Sequence, residues 1–279
     1  MNGLMEFPEI MILKDKLSEL RDELSRLVVK RDQIKYIECE NIKANYELVV
    51  GVKEFKQYEL YCSYLRLKRK RDLIQAKLNR KEQFSLLEIE SMLDDELYLY
   101  EKKMREKLDE LKAAEALTKL PKLSSVEAEE LKVLYRMLVK ELHPDLHPNQ
   151  SKDRLKTFHT VVCAYQDGDL ASIRVIAEIV RQNKSMDDYK SYNSLDEMKE
   201  HLYKDINRFE QLISTVQSEI EQIKNSYPYS LRQILDDEKM LEEKLNKLEE
   251  VIKSYEEGVI TMENTIEEII KEAKKNCLI

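Results

Sequence analysis

The sequence predicts an all-α fold in which long coiled-coil helices flank a small helical hairpin. Leucine and isoleucine recur at steps of three and four along most of the 279 residues, as expected for one face of a helix. Four glycines, five prolines and no tryptophan are few for a compact globule. Because 37% of the residues are charged, the composition suits extended helices with wet surfaces and a modest core.

Residues 1–120 are predicted to form an N-terminal coiled-coil arm. Pro8 suits the first turn of a helix. Heptad spacing follows at Leu13, Leu17, Leu20, Leu24 and Leu27. Ser85 and Glu88 fit a capping box, so either a new helix starts there or one helix runs through. Pro121 ends the arm.

Residues 121–184 are predicted to form a helical module. Ser124 and Glu127 make the capping box that opens its first helix, and Pro144 ends that helix near Leu142. One apolar face is formed by Leu131, Leu134, Tyr135, Leu138 and Leu142. A second helix buries Leu155, Phe158, Val162 and Tyr165 and stops near Gly168. Asp169 caps a third helix, which we expect to pack on this hairpin.

The hairpin has two further features besides its apolar face. Lys132, Arg136 and Lys140 are four residues apart and form a basic stripe on a different face from the leucines. The break between the two helices presents His143, Pro144 and Asp145 at the tip of the hairpin.

These residues resemble helix II, the HPD loop and helix III of the J-domain (DnaJ-like) family. The resemblance covers about a sixth of the chain and rests on Tyr135-Arg136, Leu138, Lys140, Leu142, His143-Pro144-Asp145, Phe158 and Ala164-Tyr165. It implies a co-chaperone that stimulates ATP hydrolysis by a DnaK-type chaperone ATPase. His143, Pro144 and Asp145 would be the stimulating loop, and Lys132, Arg136 and Lys140 the docking face.

The chain departs from the family's pattern in two respects. The stretch from Leu120 to Ser125 has no helix I with a tyrosine-tyrosine-leucine signature, so we expect the end of the arm, around Ser85 to Leu117, to supply the first helix. The glycine/phenylalanine-rich linker and the cysteine-rich zinc repeat of the family are also missing. Client binding through those modules is therefore not expected.

Residues 185–279 are predicted to form a C-terminal coiled-coil arm. Polar residues from Asn183 to Asn193 suggest a linker, and Ser194 starts the next helix. Pro228 breaks the arm near residues 225–230, and Ser230 begins a helix that continues to the end. The arms cannot bury their apolar stripes alone, so they pair with each other or with a second chain.

Charge and cysteine usage limit the classes of partner. The net charge of −8 arises after Leu195, so nucleic acid is not expected to bind the C-terminal arm. Tyr58, Tyr61 and Tyr64 precede a basic run at 66–71 that could bind single-stranded nucleic acid, but a solvated helix face explains it better. Four scattered cysteines and no long apolar run predict a cytoplasmic protein without membrane segments.

No enzyme or cofactor site is predicted. His143, Asp145, His147, His159 and Cys163 could bind metal, but their spacing matches no closed zinc site, so we expect neither metal nor cofactor. A nucleophile with its base, or a phosphate-binding loop, is not apparent. Two hypotheses remain: a J-domain-like co-chaperone whose arms bind a client or another copy, and a scaffolding coiled-coil protein with a non-functional hairpin.

Overall fold

A computed structural model describes residues 8–119, 123–182 and 194–279. The described residues contain helices, turns and loops but no strand, which confirms the all-α prediction. Among the described helices, none is both long enough and apolar enough to cross a membrane. Two π-helical stretches (Gln33–Glu38 and Glu47–Gly51) and a short 3-10 turn (Tyr229–Leu231) interrupt the α-helices. The α-helices are α1 (Pro8–Asp32), α2 (Cys39–Tyr46), α3 (Val52–Arg80), α4 (Leu86–Lys119), α5 (Ser125–Leu142), α6 (Lys152–Gln166), α7 (Leu170–Gln182), α8 (Leu195–Lys224), α9 (Arg232–Asp236) and α10 (Glu238–Lys275).

The chain divides into two compact units, each built from two separate stretches of sequence. Unit 1 combines Met1–Glu40 with Pro121–Ser230, and unit 2 combines Asn41–Leu120 with Leu231–Ile279. This grouping differs from the predicted series of three consecutive segments, because amphipathic helices from the N-terminal part pair with helices from the C-terminal part. The predicted linker from Asn183 to Asn193 and the boundaries at residues 120 and 184 lie outside the described residues.

In unit 1, α1 and α8 lie side by side and run in the same direction. Lys199 near the start of α8 pairs with Glu9 near the start of α1. Arg31 near the end of α1 donates to Glu219 of α8 at 3.1 Å. Their facing stripes bury leucine and isoleucine side chains around Phe209, which has no exposed surface. The amphipathic stripes of these two helices are therefore buried within the chain.

The predicted hairpin of α5 and α6 forms the rest of unit 1, with α7 packed on both helices. The apolar face of α5 is buried as predicted, and the helix ends at Leu142. On α6 the buried face is centred on Val161, Ala164 and Tyr165, whereas Leu155 is exposed. Asp169 caps α7 by accepting the Ser172 N–H at 3.0 Å, which confirms the predicted third helix.

In unit 2, α3 and α4 form an antiparallel hairpin and α10 runs parallel to α3. Tyr61 contacts Tyr100 with ring centroids 6.3 Å apart, whereas Lys70, further along α3, pairs with Glu90 near the start of α4. Glu54 near the start of α3 pairs with Lys244 near the start of α10, and Arg71, further along α3, contacts Met262, further along α10. The N-terminal arm thus folds back on itself and pairs with the C-terminal helix of the same chain.

Helix boundaries follow the capping signals, with one exception. Ser124 accepts the Glu127 N–H at 3.2 Å while the Glu127 carboxylate accepts the Ser124 N–H at 2.9 Å, which completes the predicted capping box. Ser194 likewise starts α8. The helix predicted from Ser230 to the end is wrong: α9 stops after five residues, and Asp237 caps a separate α10 by accepting two backbone N–H groups at 3.1 Å.

Candidate partner-binding site

The tip of the hairpin is organised around a buried histidine. His143 is only 5% exposed, and its ring meets that of Phe158 edge to face with centroids 5.1 Å apart. Its Nδ1 accepts the backbone N–H of Asp145 at 3.1 Å. Pro144 fixes the backbone between these two residues. His143 therefore faces the core and holds the turn in one conformation.

Asp145 has the opposite orientation. Its side chain is 40% exposed, and its carboxylate lies 3.7 Å from Nδ1 of His143. The turn uses the backbone N–H of Asp145 and leaves its carboxylate oxygens accessible. The tip thus presents an acidic group on a fixed backbone, which is suited to a short polar contact with a partner.

The loop is also tied to the end of α5. The last carbonyl groups of a helix have no partner within it. Here Gln150 Nε2 donates to the Leu142 carbonyl at 2.8 Å, and Arg154 Nη2 donates to the Glu141 carbonyl at 2.7 Å. His147 Nε2 lies 2.9 Å from a third carbonyl oxygen, that of Lys140. These three side chains, to which the sequence assigned no such role, pre-organise the loop.

Burial controls the charge state of the tip histidine. Burial of the imidazole lowers the pKa of His143 below its usual 6.5, while the nearby Asp145 carboxylate acts in the opposite direction. The guanidinium of Arg31 also lowers the pKa. His143 is therefore neutral at physiological pH, which its role as a hydrogen-bond acceptor requires.

The predicted basic stripe lies at the surface of α5, but its three members differ. Arg136 and Lys140 are exposed and Lys132 is half-buried. Neither Lys132 nor Arg136 forms an ion pair with any residue that the structure describes. Lys140 is paired with Asp22 of α1. Only part of the predicted docking face thus has uncompensated charge.

A buried polar contact connects α1 to the hairpin. Tyr135 has no exposed surface, and its hydroxyl donates to Asp32 at 2.6 Å. The Asp32 carboxylate is also paired with Arg31 at 2.8 Å. The Tyr135 ring stacks on Tyr165 with centroids 3.8 Å apart. Tyr135 therefore links α1, α5 and α6.

The helix expected around Ser85 to Leu117 belongs to unit 2, so the prediction that it supplies the first helix of the hairpin module is wrong. α4, which contains these residues, packs against α3 in unit 2. The N-terminal helix that packs on α5 is α1. The sequence contained one signal for this arrangement. Asp32 continues the buried series Leu24 and Val28 at a spacing of four, and a carboxylate in an apolar stripe needs a buried partner.

Several charges of the basic run at residues 66–71 of α3 form ion pairs within unit 2. Arg66 contacts Glu90 at 2.5 Å and Asp94 at 2.7 Å, and Arg69 forms a two-pronged pair with Glu96. Of the preceding tyrosines, Tyr61 and Tyr64 pack against aromatic rings on α4 or α10. The sequence predicted a solvated helix face, whereas these charges are paired with carboxylates of α4.

The metal-capable residues do not converge into a cluster. His159 Nδ1 lies 3.6 Å from the Cys163 sulfur on α6, one helical turn apart. His147 contacts the end of α5 and His143 packs on Phe158. Within the described ranges, no three His, Cys, Asp or Glu side chains are grouped so that they could hold a metal ion.

Comparison of the chain with models of protein families, with curated proteins and with solved structures finds no match.

Proposed function

We propose that unit 1 contains a J-domain-like module that binds a DnaK-type chaperone ATPase and stimulates its ATP hydrolysis. The observation that carries this proposal is the division of roles at the tip, where His143 faces inward and fixes the turn while Asp145 faces outward. A loop that only joined two helices would not need an exposed carboxylate on a backbone fixed by a buried histidine.

The charges next to the tip support the same proposal. Lys132, Arg136 and Lys140 lead along α5 toward the loop, so an acidic partner surface would be attracted to the hairpin before the tip makes contact. Electrostatic attraction of this kind raises the association rate, whereas short-range contacts at Asp145 determine what the bound partner does. The module acts as a regulator of another protein's hydrolysis and has no catalytic role of its own.

We propose that the remaining helices bind a client or a second copy of the chain. Their stripes pair within each unit, so such binding uses the outer faces of the helices. We also propose a cytoplasmic location, since all four cysteines are free and lie on separate elements.

The test is single-turnover ATP hydrolysis by a DnaK-type chaperone with the full chain and with Asp145→Asn. We expect the variant to lose stimulation at unchanged helicity, because the turn uses the backbone N–H of Asp145 and not its carboxylate. Asp153→Asn is the matched control, since this α6 aspartate is 93% exposed and far less enclosed. Equal stimulation by both variants and the native chain would refute the proposal.

A scaffolding role is the second candidate, and one observation favours it. The hydrogen bond and ring contact of His143 account for the histidine by loop structure alone. Under this alternative, neither the native chain nor Asp145→Asn changes ATP hydrolysis, although the chain is fully helical. His143→Gln would then lower stability without a functional effect.

A further inference from the structure

The basic face of α5 is partly covered by the protein itself. Lys140 is the member of the face closest to the tip, and its ammonium group is paired with the Asp22 carboxylate of α1. The two side chains are 48% and 41% exposed, so the pair lies at the surface and competes with solvent and with any other charged group. The charge that Lys140 can offer to a partner is therefore reduced.

The same helix brings a new positive charge to this edge. Asp22 and Asp32 of α1 contact α5 at Lys140 and Tyr135, and these two contacts fix the register between the helices. Arg26 lies between them in sequence, one turn after Asp22, and shares a side of α1 with Asp22. Its side chain is exposed and forms no ion pair with the described part of the chain.

We propose that α1 reshapes the docking face for the acidic partner: Arg26 joins Lys132 and Arg136, while Asp22 withholds Lys140. This inference rests on the function proposed above and identifies the surface and its regulation. An acidic patch that approaches α5 meets a face composed of two helices far apart in sequence. Binding that patch at Lys140 requires the partner to displace Asp22, which is a built-in competitor.

The contribution of Arg26 is tested by the dissociation constant of the full chain for the ATP-bound chaperone. Arg26→Ala and Arg136→Ala should each weaken binding by roughly two- to fivefold, and higher salt should reduce both differences. Arg105→Ala is the control, because Arg105 is also exposed on a helix and lies in unit 2. An affinity for Arg26→Ala equal to that of the control would overturn the composite face.

The masking of Lys140 is tested by a double-mutant cycle. Asp22→Asn should tighten binding by roughly two- to fivefold, and adding Lys140→Ala should cancel the gain. Lys140→Ala alone should weaken binding, because it removes a cation and leaves the Asp22 carboxylate unpaired beside the acidic partner. Asp15→Asn is the matched control, since it makes the same charge change at an exposed site on α1. A gain of equal size in the control would overturn masking.

The outcomes separate this inference from the proposed function. Loss of stimulation in Asp145→Asn together with unchanged affinity in Arg26→Ala and Asp22→Asn would overturn only the composite face. Absence of chaperone binding by the native chain would overturn both. Equally tight, Arg26-dependent binding of a single-stranded oligonucleotide would assign the face to nucleic acid and would also overturn the inference.

Discussion

The stacked pair Tyr135 and Tyr165 offers an internally controlled test of what joins α1 to the hairpin. Both rings are fully buried and lie 3.8 Å apart, so their packing environments are similar. Their hydroxyl groups differ: that of Tyr135 donates to the Asp32 carboxylate at 2.6 Å, whereas that of Tyr165 has no partner among the described residues. Removing one oxygen from each ring therefore isolates the hydrogen bond.

Tyr135→Phe should lower the free energy of unfolding by about 1.5–3 kcal/mol, the usual range for a buried hydrogen bond to a charged group. The buried Asp32 carboxylate keeps its Arg31 partner at 2.8 Å, so the loss should stay within that range. Tyr165→Phe should be neutral or slightly stabilising, because a buried hydroxyl without a partner is unfavourable. The stacking itself is kept in both variants.

Urea unfolding followed by circular dichroism gives the overall free energy, and hydrogen exchange of peptides from α1 and α5 locates the effect in unit 1. Tyr135→Phe should accelerate exchange in both helices by roughly 10- to 100-fold where exchange requires unit 1 to unfold. Equal effects of the two substitutions would refute the reasoning, because the hydroxyl of Tyr135 would then contribute nothing beyond its packing.

Two further predictions concern charge. Arg66→Met should destabilise unit 2 by about 1 kcal/mol, because it leaves Glu90 and Asp94 without their shared guanidinium, whereas Lys68→Met on the same exposed run should be neutral by urea unfolding. The pKa of His143 is lowered in the folded state, so the folded chain resists protonation of this imidazole. The contribution of neutral His143 to stability is therefore complete above about pH 6.5, the unfolded pKa. It declines as the pH falls below that value and is lost as the pH passes through the folded pKa. Between pH 7.5 and 5, His143→Gln should therefore lose less stability than the native chain; identical pH dependence would count against a buried neutral imidazole.

The local structure of the hairpin could be predicted from sequence because its signals are local. Pro144 ends α5, and the capping residues Ser124 and Asp169 start α5 and α7 at the observed positions. Asp237 was overlooked, because it lies in an acidic stretch that reads equally well as the wet face of a continuous helix. Such a residue becomes a cap only when the preceding backbone leaves the helix.

The pairing of helices could not be predicted, because periodicity identifies which face is buried and not what covers it. The apolar stripes of α1 and α10 are compatible with several partners, and the choice of α8 for one and α3 for the other depends on contacts more than 150 residues apart in sequence. The contacts of Asp22 and Asp32 with α5 cannot be predicted for the same reason. Both aspartates contact α5, and α3 and α4 of unit 2 separate α1 from α5 in the sequence.

At the tip, His143 and Asp145 have different roles, although both belong to the same tripeptide. His143 acts through the backbone, because its imidazole accepts the Asp145 N–H and packs on Phe158. A change at His143 therefore alters loop geometry and stability together. The Asp145 carboxylate is 40% exposed and accepts no hydrogen bond from the described residues, so a change there should leave the loop intact. If the module regulates an ATPase, the Asp145 variant should lose stimulation at full stability, whereas a scaffold would be sensitive only at His143.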